Sequence, residues 1–419
     1  MNPSRREVVV TGMGAVSPLG IGVARLWQGI RAGQSGIDWI EDTLDLDPSF
    51  YPTRYAGAVK QFAVDEHLNR HCEVRDEKSV QMGLVAAREA LAQAGLLTAD
   101  ELLIPEANPV AVIAGSGHGP CHEADGAYRE YYSRGPRAVR PATLAKSMFN
   151  SLSSNLSIHF QLTGANFVIA SACSSGTLAI GQAAILIRSG FVDCVLCGGA
   201  DAPITQAIFT GWTNMRVMAR HDEPQKASRP FDAKRNGLVL AEGAAMVVLE
   251  SRGSSERRGA RPLASVLGHG TSSDAHHITA PTVAGQVAAM RSCLADADLD
   301  RERVDYLNLH GTATRTNDET EARAVAEVFG RCGERMPASS TKSMLGHALG
   351  ASGALEFVIC VEALRHGFVP PTINCDEPDP DVGLDYVSGV GRSHPVRVAM
   401  SNSFAFGGSN ACILLGRNQ

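Results

Sequence analysis

The chain repeats its own outline. Short apolar runs alternate with helix-like patterns, as in REVVVTGMG before LWQGIRAGQ and NFVIASAC before TLAIGQAAILI. After the charged, glycine-containing stretch 251–262 the alternation begins again, and ASVLGHGTSSDA, VDYLNLHGTAT, PASSTKS and VRVAMSNSFAFGGSNACILLG echo the first half in type and order. Short apolar strands between helical segments mark an α/β protein whose strands are covered on both faces. The restart predicts two related halves, residues 1–255 and 256–419, with sheets packed around shared central helices. TLAIGQAAILI is apolar on all sides, as a helix held between two sheets must be.

A chain of 419 residues, 44% hydrophobic and 20% charged, has ample material for such a core. Its 42 glycines and 5% aromatic content favour tight turns and close helix–sheet packing over large aromatic clusters. A net charge of −6 argues against nucleic acid as a partner. The ten cysteines lack the spacing of a disulfide framework and predict a reducing compartment, the cytoplasm. Cys194 and Cys197 have CxxC form but lie in a strand pattern that sends them to opposite faces, so they are not read as a metal or redox pair. His276 and His277 read as loop residues without further ligands at useful spacing. No apolar run suits a signal core or a bilayer span. The reading calls for no cofactor, no metal and no membrane.

Chemistry concentrates in four segments. Cys173 stands in ASACSSGTLAIGQAAILIRSG (170–190), where an apolar run ends and a helix begins. Free N–H groups and the helix dipole at such a position bias a thiol toward thiolate. VDYLNLHGTATRTND (304–318) reads as a strand ending in His310, followed by a hydroxyl-rich loop with Thr312, Thr314 and Asp318. STKSMLGHALGASGALEFVICVEAL (340–364) offers Lys342, His347 after a glycine, and a helix carrying Glu356. The last segment is the glycine-rich NSFAFGGSN (402–410). Two histidines and a lysine at element ends can converge on a thiolate.

These motifs, with VVVTGMGAVSPLG (8–20) and PQKASRPFDAKRNGLVLAEGAAMVVLE (224–250), resemble the β-ketoacyl-acyl carrier protein synthases of the elongating, Cys-His-His type, and the synthase II group in particular. The likeness covers essentially the whole chain. It implies the thiolase fold, a five-layer αβαβα duplication, with Cys173 in the N-terminal half and the His/Lys/His set and glycine-rich gate in the C-terminal half. It implies a decarboxylating Claisen condensation on acyl carrier protein, with Cys173 taking the acyl chain. His310 and His347 stabilise the enolate, Lys342 orients His310, and Glu356 anchors the network. The amides of Cys173 and Phe406 form the oxyanion hole, Phe406 also gates the pocket, and Thr312 and Thr314 bind the pantetheine amides. A homodimer is expected, or a heterodimer with a chain-length partner. Residues 119–150, the largest irregular insertion, belong in related enzymes to the dimer interface and acyl pocket. Arg70, Arg216, Arg220 and Lys226 are candidates to dock the acidic carrier. Two alternatives are a non-catalytic chain-length partner, which lacks the nucleophile, and a thiolase, which uses a second active-site cysteine.

The chain departs from the family pattern in places. Ala405 replaces a glycine and Ser409 a threonine in the gate loop. His118 stands where an apolar residue limits the acyl pocket, FTGWTNMRVMA (209–219) lacks the expected Gly/Phe/Ala pattern, and Lys146 stands near a usually apolar or hydroxyl position. Polar groups in an acyl pocket cost free energy unless partnered. The substrate expected is therefore an unsaturated, aryl-bearing or polyketide-like chain, and a secondary-metabolite ketosynthase fits the pattern.

Overall fold

The computed structural model describes residues 5–41, 43–69, 77–107, 109–380 and 383–418. Ten strands form the body of one mixed sheet: β1 (Val8–Ser17), β2 (Ala111–Gly115), β3 (Asn166–Ile169), β4 (Cys194–Asp201), β5 (Gly243–Ser251), β6 (Ala264–Ser273), β7 (Tyr306–Asn308), β8 (Ala338–Ser339), β9 (Val398–Phe404) and β10 (Ser409–Arg417). Across the sheet they run β8-β7-β9-β10-β6-β1-β5-β4-β2-β3, with the short strand Gly20–Ile21 beside β1. The first five strands are ordered 3-2-4-5-1 from the edge inward. The second five repeat that order, each number raised by five. The halves join where β1 meets β6 antiparallel, Val8 opposite Val266.

Helices fill three layers. α1 (Lys78–Gln93) and α3 (Ser151–Phe160) cover the outer face of the first half-sheet. α6 (Val283–Ala297), with α7 (Arg315–Phe329) against it, covers that of the second. Between the half-sheets lie α4 (Ser175–Arg188) and α8 (Ser352–His366), touching each other and strands of both halves. This is the five-layer thiolase arrangement. Three large apolar clusters match it, one central and one beneath each outer helix layer. Cys194 faces the first outer cluster and Cys197 the central one, so the CxxC pair splits across its strand as expected.

The two central helices begin alike. A 3-10 turn, Ala172–Ser174, precedes α4, and another, Leu349–Ala351, precedes α8. Each turn opens on a non-glycine residue with positive φ, Ala172 at 46° and Leu349 at 48°. Small residues let the two starts meet: a Cβ on Gly176 would lie 2.7 Å from the Gly350 carbonyl oxygen, and one on Gly353 2.1 Å from Thr177 Oγ1. Cys173 and Gly350 therefore occupy equivalent places. His347 sits three residues before Gly350, its amide donating to the Val239 carbonyl and its carbonyl accepting from the Ala241 amide.

Residues 119–150 are more regular than their composition indicated. They form α2 (Cys121–Arg134), a 3-10 turn Pro136–Ala138 and a short helix Ala142–Lys146. Lys146 lies at the end of that short helix and lines neither cavity at the nucleophile.

Candidate active site

Cys173 is buried, and its Sγ lies 3.2 Å from His347 Nε2. His347 is held from behind by Ser352 Oγ, 3.0 Å from Nδ1. His310 packs edge-on against His347, ring centroids 5.4 Å apart. Its backbone is set by Glu321, whose two oxygens accept from the amides of His310 (2.7 Å) and Gly311 (2.8 Å). Lys342 Nζ donates to the His310 carbonyl at 2.6 Å, lies 3.4 Å from His310 Nδ1 and pairs with Glu356 Oε1 at 2.5 Å. All seven of these side chains are buried.

The electrostatics follow from this burial. An ammonium has only donors to offer, so His310 Nδ1 must be the acceptor and the ring proton sits on Nε2. Desolvation first, and then the Lys342 charge, hold both imidazoles well below the usual histidine range, so both are neutral. Burial pushes the Glu356 carboxyl up to about 7 against the opposing pull of Lys342. The thiol departs from expectation. Burial pushes Cys173 up to about 11, outweighing Lys342 and the amides of Phe406 and Cys173 that point at the sulfur. In the closed site the helix-terminus bias is overcome by desolvation, and the nucleophile rests as a thiol.

Two cavities meet at Cys173. A tunnel of about 320 Å³ runs past Thr312, Thr314, His310 and His347 to a mouth at His277 and Ile278. Thr312 and Thr314 bond each other at 2.8 Å, and Thr314 caps α7. On the other side an apolar cavity of about 360 Å³ is lined by Ile208, Leu349 and His118. Phe406 and, from α5 (Gln206–Met215), Trp212 and Met215 line both, so Phe406 stands between them. Gly407 (φ 82°) and Gly408 (φ 73°) both take the left-handed region, and a Cβ on Gly408 would also strike Asp274. Gly407 has open space around it, so backbone freedom is its reason. Ala405, at φ −120° and ψ 155°, carries its methyl without strain. Ser409 Oγ bonds Ser171 and Ser174 (2.9 and 3.1 Å), tying the gate loop to the nucleophile turn.

Several contributors escaped the sequence reading. Asp201, fully buried, accepts from Gly350 N (2.6 Å), Gly117 N (2.8 Å) and Ser116 Oγ (2.6 Å), joining the two helix starts to the His118 loop. Glu321, Ser352, Trp212 and His277 were likewise missed. Only the last could have been suspected, since the His276–His277 pair is conspicuous in a polar loop. Arg70 lies outside the described residues. Arg216 and Arg220 have no ion pair among the described residues, while Lys226 pairs with Glu223. Among the described residues one trio of metal-type donors lies within 4.8 Å, namely Cys173, His310 and His347, all buried. No helix among the described residues is long and apolar enough to cross a membrane.

A duplicated five-layer fold with a cysteine at the start of one central helix, two neutral histidines and a buried lysine defines a thiolase-fold acyltransferase of the Cys-His-His type. Residues 5–254 match the beta-ketoacyl synthase N-terminal domain and residues 263–376 its C-terminal domain. The chain therefore belongs to the beta-ketoacyl synthase family. It is 40% identical over 416 residues, 99% of each chain, to the 3-oxoacyl-[acyl-carrier-protein] synthase 2 of Coxiella burnetii. It is 41% identical over 409 residues, 97% of this chain and 98% of the relative, to nodulation protein E of Rhizobium meliloti. Among solved structures, the ishigamide ketosynthase/chain length factor superposes with a TM-score of 0.91 at 36% identity, covering 99% of this chain and 100% of that one.

Proposed function

We propose that Cys173, His310, Lys342 and His347 carry out a decarboxylating Claisen condensation between a Cys173-bound acyl group and malonyl-acyl carrier protein. The observation that carries this reading is the thiol 3.2 Å from His347 Nε2, with His310 beside it. Cys173 attacks the acyl thioester carbonyl and the pantetheine sulfur leaves as a thiol, taking up the proton that Cys173 gives up. The oxyanion formed on the way is held by the amides of Cys173 and Phe406. Malonyl thioester then enters the tunnel, its pantetheine bonded by Thr312 and Thr314. Loss of CO2 leaves an enolate whose oxygen accepts from the Nε2–H groups of His310 and His347. With Ser352 donating to Nδ1, His347 too keeps its proton on Nε2. The enolate carbon attacks the acyl carbonyl, the bond to Cys173 Sγ breaks, the departing thiolate takes a proton from water, and 3-oxoacyl-acyl carrier protein is released. Neutral histidines suit this step, because each must donate without carrying a charge that would trap the enolate.

Lys342 keeps His310 in the donating tautomer, and Glu356 holds Lys342 in place. His118 lines the acyl cavity and contacts the chain. Arg216 and Arg220, without an ion pair among the described residues, favour docking of an acidic carrier protein. A division at 255/256 separates the nucleophile half from the His/Lys/His half, and the repeated strand order supports it. The sheet edge at β3 exposes Phe167, and nearby Ile158, Phe149 and Met148 are also exposed. An open edge beside apolar side chains calls for a second subunit, a copy of this chain or a chain-length partner. Work in the cytoplasm accords with the free cysteines.

The test is intact-protein mass spectrometry after mixing enzyme with acyl-carrier protein and then malonyl-carrier protein. Acylation at Cys173, followed by chain extension with loss of CO2, is expected, and Cys173→Ala should fold yet take no acyl group. Condensation by that variant would refute the assignment.

A further inference from the structure

The acyl cavity has an uneven chemistry. Its walls are apolar except for the Cys173 thiol, the indole of Trp212 and the imidazole of His118. The His118 backbone is fixed, its amide on Asp201 Oδ1 at 3.3 Å and its carbonyl accepting from Cys121 Sγ, but among the described residues its ring has no hydrogen-bond partner. An imidazole facing an apolar cavity loses water when the cavity fills with hydrocarbon, and regains a partner only if the occupant brings one. On the gate side, Trp212 lies nearly parallel to Phe406, centroids 5.8 Å apart and planes 22° apart. Because Phe406 stands between tunnel and cavity, a chain that passes it must displace that ring and bare the indole face. A saturated chain leaves the aromatic stack unreplaced. A flat π-system restores it.

We propose that Trp212 and His118 make this cavity selective for a flat, conjugated acyl group that ends in a hydrogen-bonding oxygen. This rests on the condensing reading above and names the substrate class of that same site. Trp212 reads planarity close to the reacting carbon, in the place Phe406 vacates. His118 reads polarity at the cavity wall, held there by the Asp201 clamp. The two requirements come from different side chains and separate by mutation.

The experiment measures the initial rate of acyl transfer to Cys173 by intact mass, using the pantetheine thioesters of octanoate, octa-2,4,6-trienoate, cinnamate and 4-hydroxycinnamate. The trienoyl donor should outpace the octanoyl one about tenfold, and the hydroxycinnamoyl donor the cinnamoyl one by about as much. Trp212→Leu should bring the first ratio close to one while keeping the second, and His118→Leu should do the reverse. Should either variant lose its native circular dichroism, Trp212→Met and His118→Asn carry the same comparison. Equal rates for octanoyl and trienoyl donors in the unmodified enzyme, or ratios that survive both substitutions, would overturn the proposal. Equal rates followed by normal condensation leave the condensing reading standing without this selectivity. Failure of every donor to acylate Cys173 removes the condensing reading itself.

Discussion

Replacing Lys342 by methionine removes a charge while nearly keeping the side chain's length and volume. It deletes the ion pair to Glu356 and the bond to the His310 carbonyl, both deep in the protein. Glu356 is then a buried carboxyl with no cation, and its second oxygen already lacks a partner. With Lys342 present, burial has raised this carboxyl to about 7, above its unfolded value of 4.5. Folding therefore takes up a proton between those values, and stability falls as pH rises through that window, levelling off above it. Without Lys342 the folded value climbs further and the window extends upward. Below about pH 7 both proteins carry a protonated Glu356 and differ mainly by lost hydrogen bonds. Above it the gap widens by about 1.4 kcal/mol per pH unit, or about 2 kcal/mol between about pH 7 and about pH 8.5. The total approaches the roughly 3 to 5 kcal/mol that breaking a buried pair costs. Urea unfolding across about pH 6 to 8.5 reads this directly. Lys342→Met with Glu356→Gln should shrink the widening to the smaller share carried by Glu321, whose carboxyl burial holds at about 7 and which also feels the Lys342 charge. A gap that stays constant over the whole range would refute the buried-pair reasoning.

Other substitutions probe separate joints of the site. Glu321→Gln leaves one of the His310 and Gly311 amides facing a donor, so it should cost about 2 kcal/mol in urea unfolding and lower condensation about tenfold, with Cys173 acylation nearly unchanged. Gly350→Ala would set a methyl 2.4 Å from Gly117 N and 2.6 Å from Asp201 Oδ2, so thermal unfolding should show a loss above about 3 kcal/mol. Ala405→Gly frees an unstrained extended residue beside the gate. It should cost about 0.5 to 1 kcal/mol of stability and speed Cys173 acylation in stopped-flow assays; unchanged acylation would mean that motion at Ala405 does not limit entry.

The parts of the site that were legible in the sequence are those carried by short motifs. Cys173, His310, Lys342 and His347 each sit beside glycines or small hydroxyl residues that mark element ends, and the restart after 251–262 announced the duplicated sheet. What could not be read depends on partners distant in the chain. Asp201 ends a strand like many carboxylates, and its role rests on Gly350, 149 positions away. Glu321 looks like an ordinary helix acid, and only the turn of α7 toward the His310 loop makes it a buried anchor. The thiolate expectation for Cys173 failed for the same reason. A local pattern reveals the helix start, while the desolvation that governs the thiol comes from everything packed around it.

A fold built twice on one plan has two places where a nucleophile could stand, and only one is armed. At the second place Gly350 presents bare backbone, and the first half fills the space a side chain would take: a Cβ there would lie 2.4 Å from Gly117 N and 2.6 Å from Asp201 Oδ2. One half of the molecule thus presents the sulfur while the other brings two histidines to it. Symmetry is broken at Gly350, while glycines in both halves, Gly176 and Gly353 among them, let the two helix starts come close enough that residues from both halves share one sulfur.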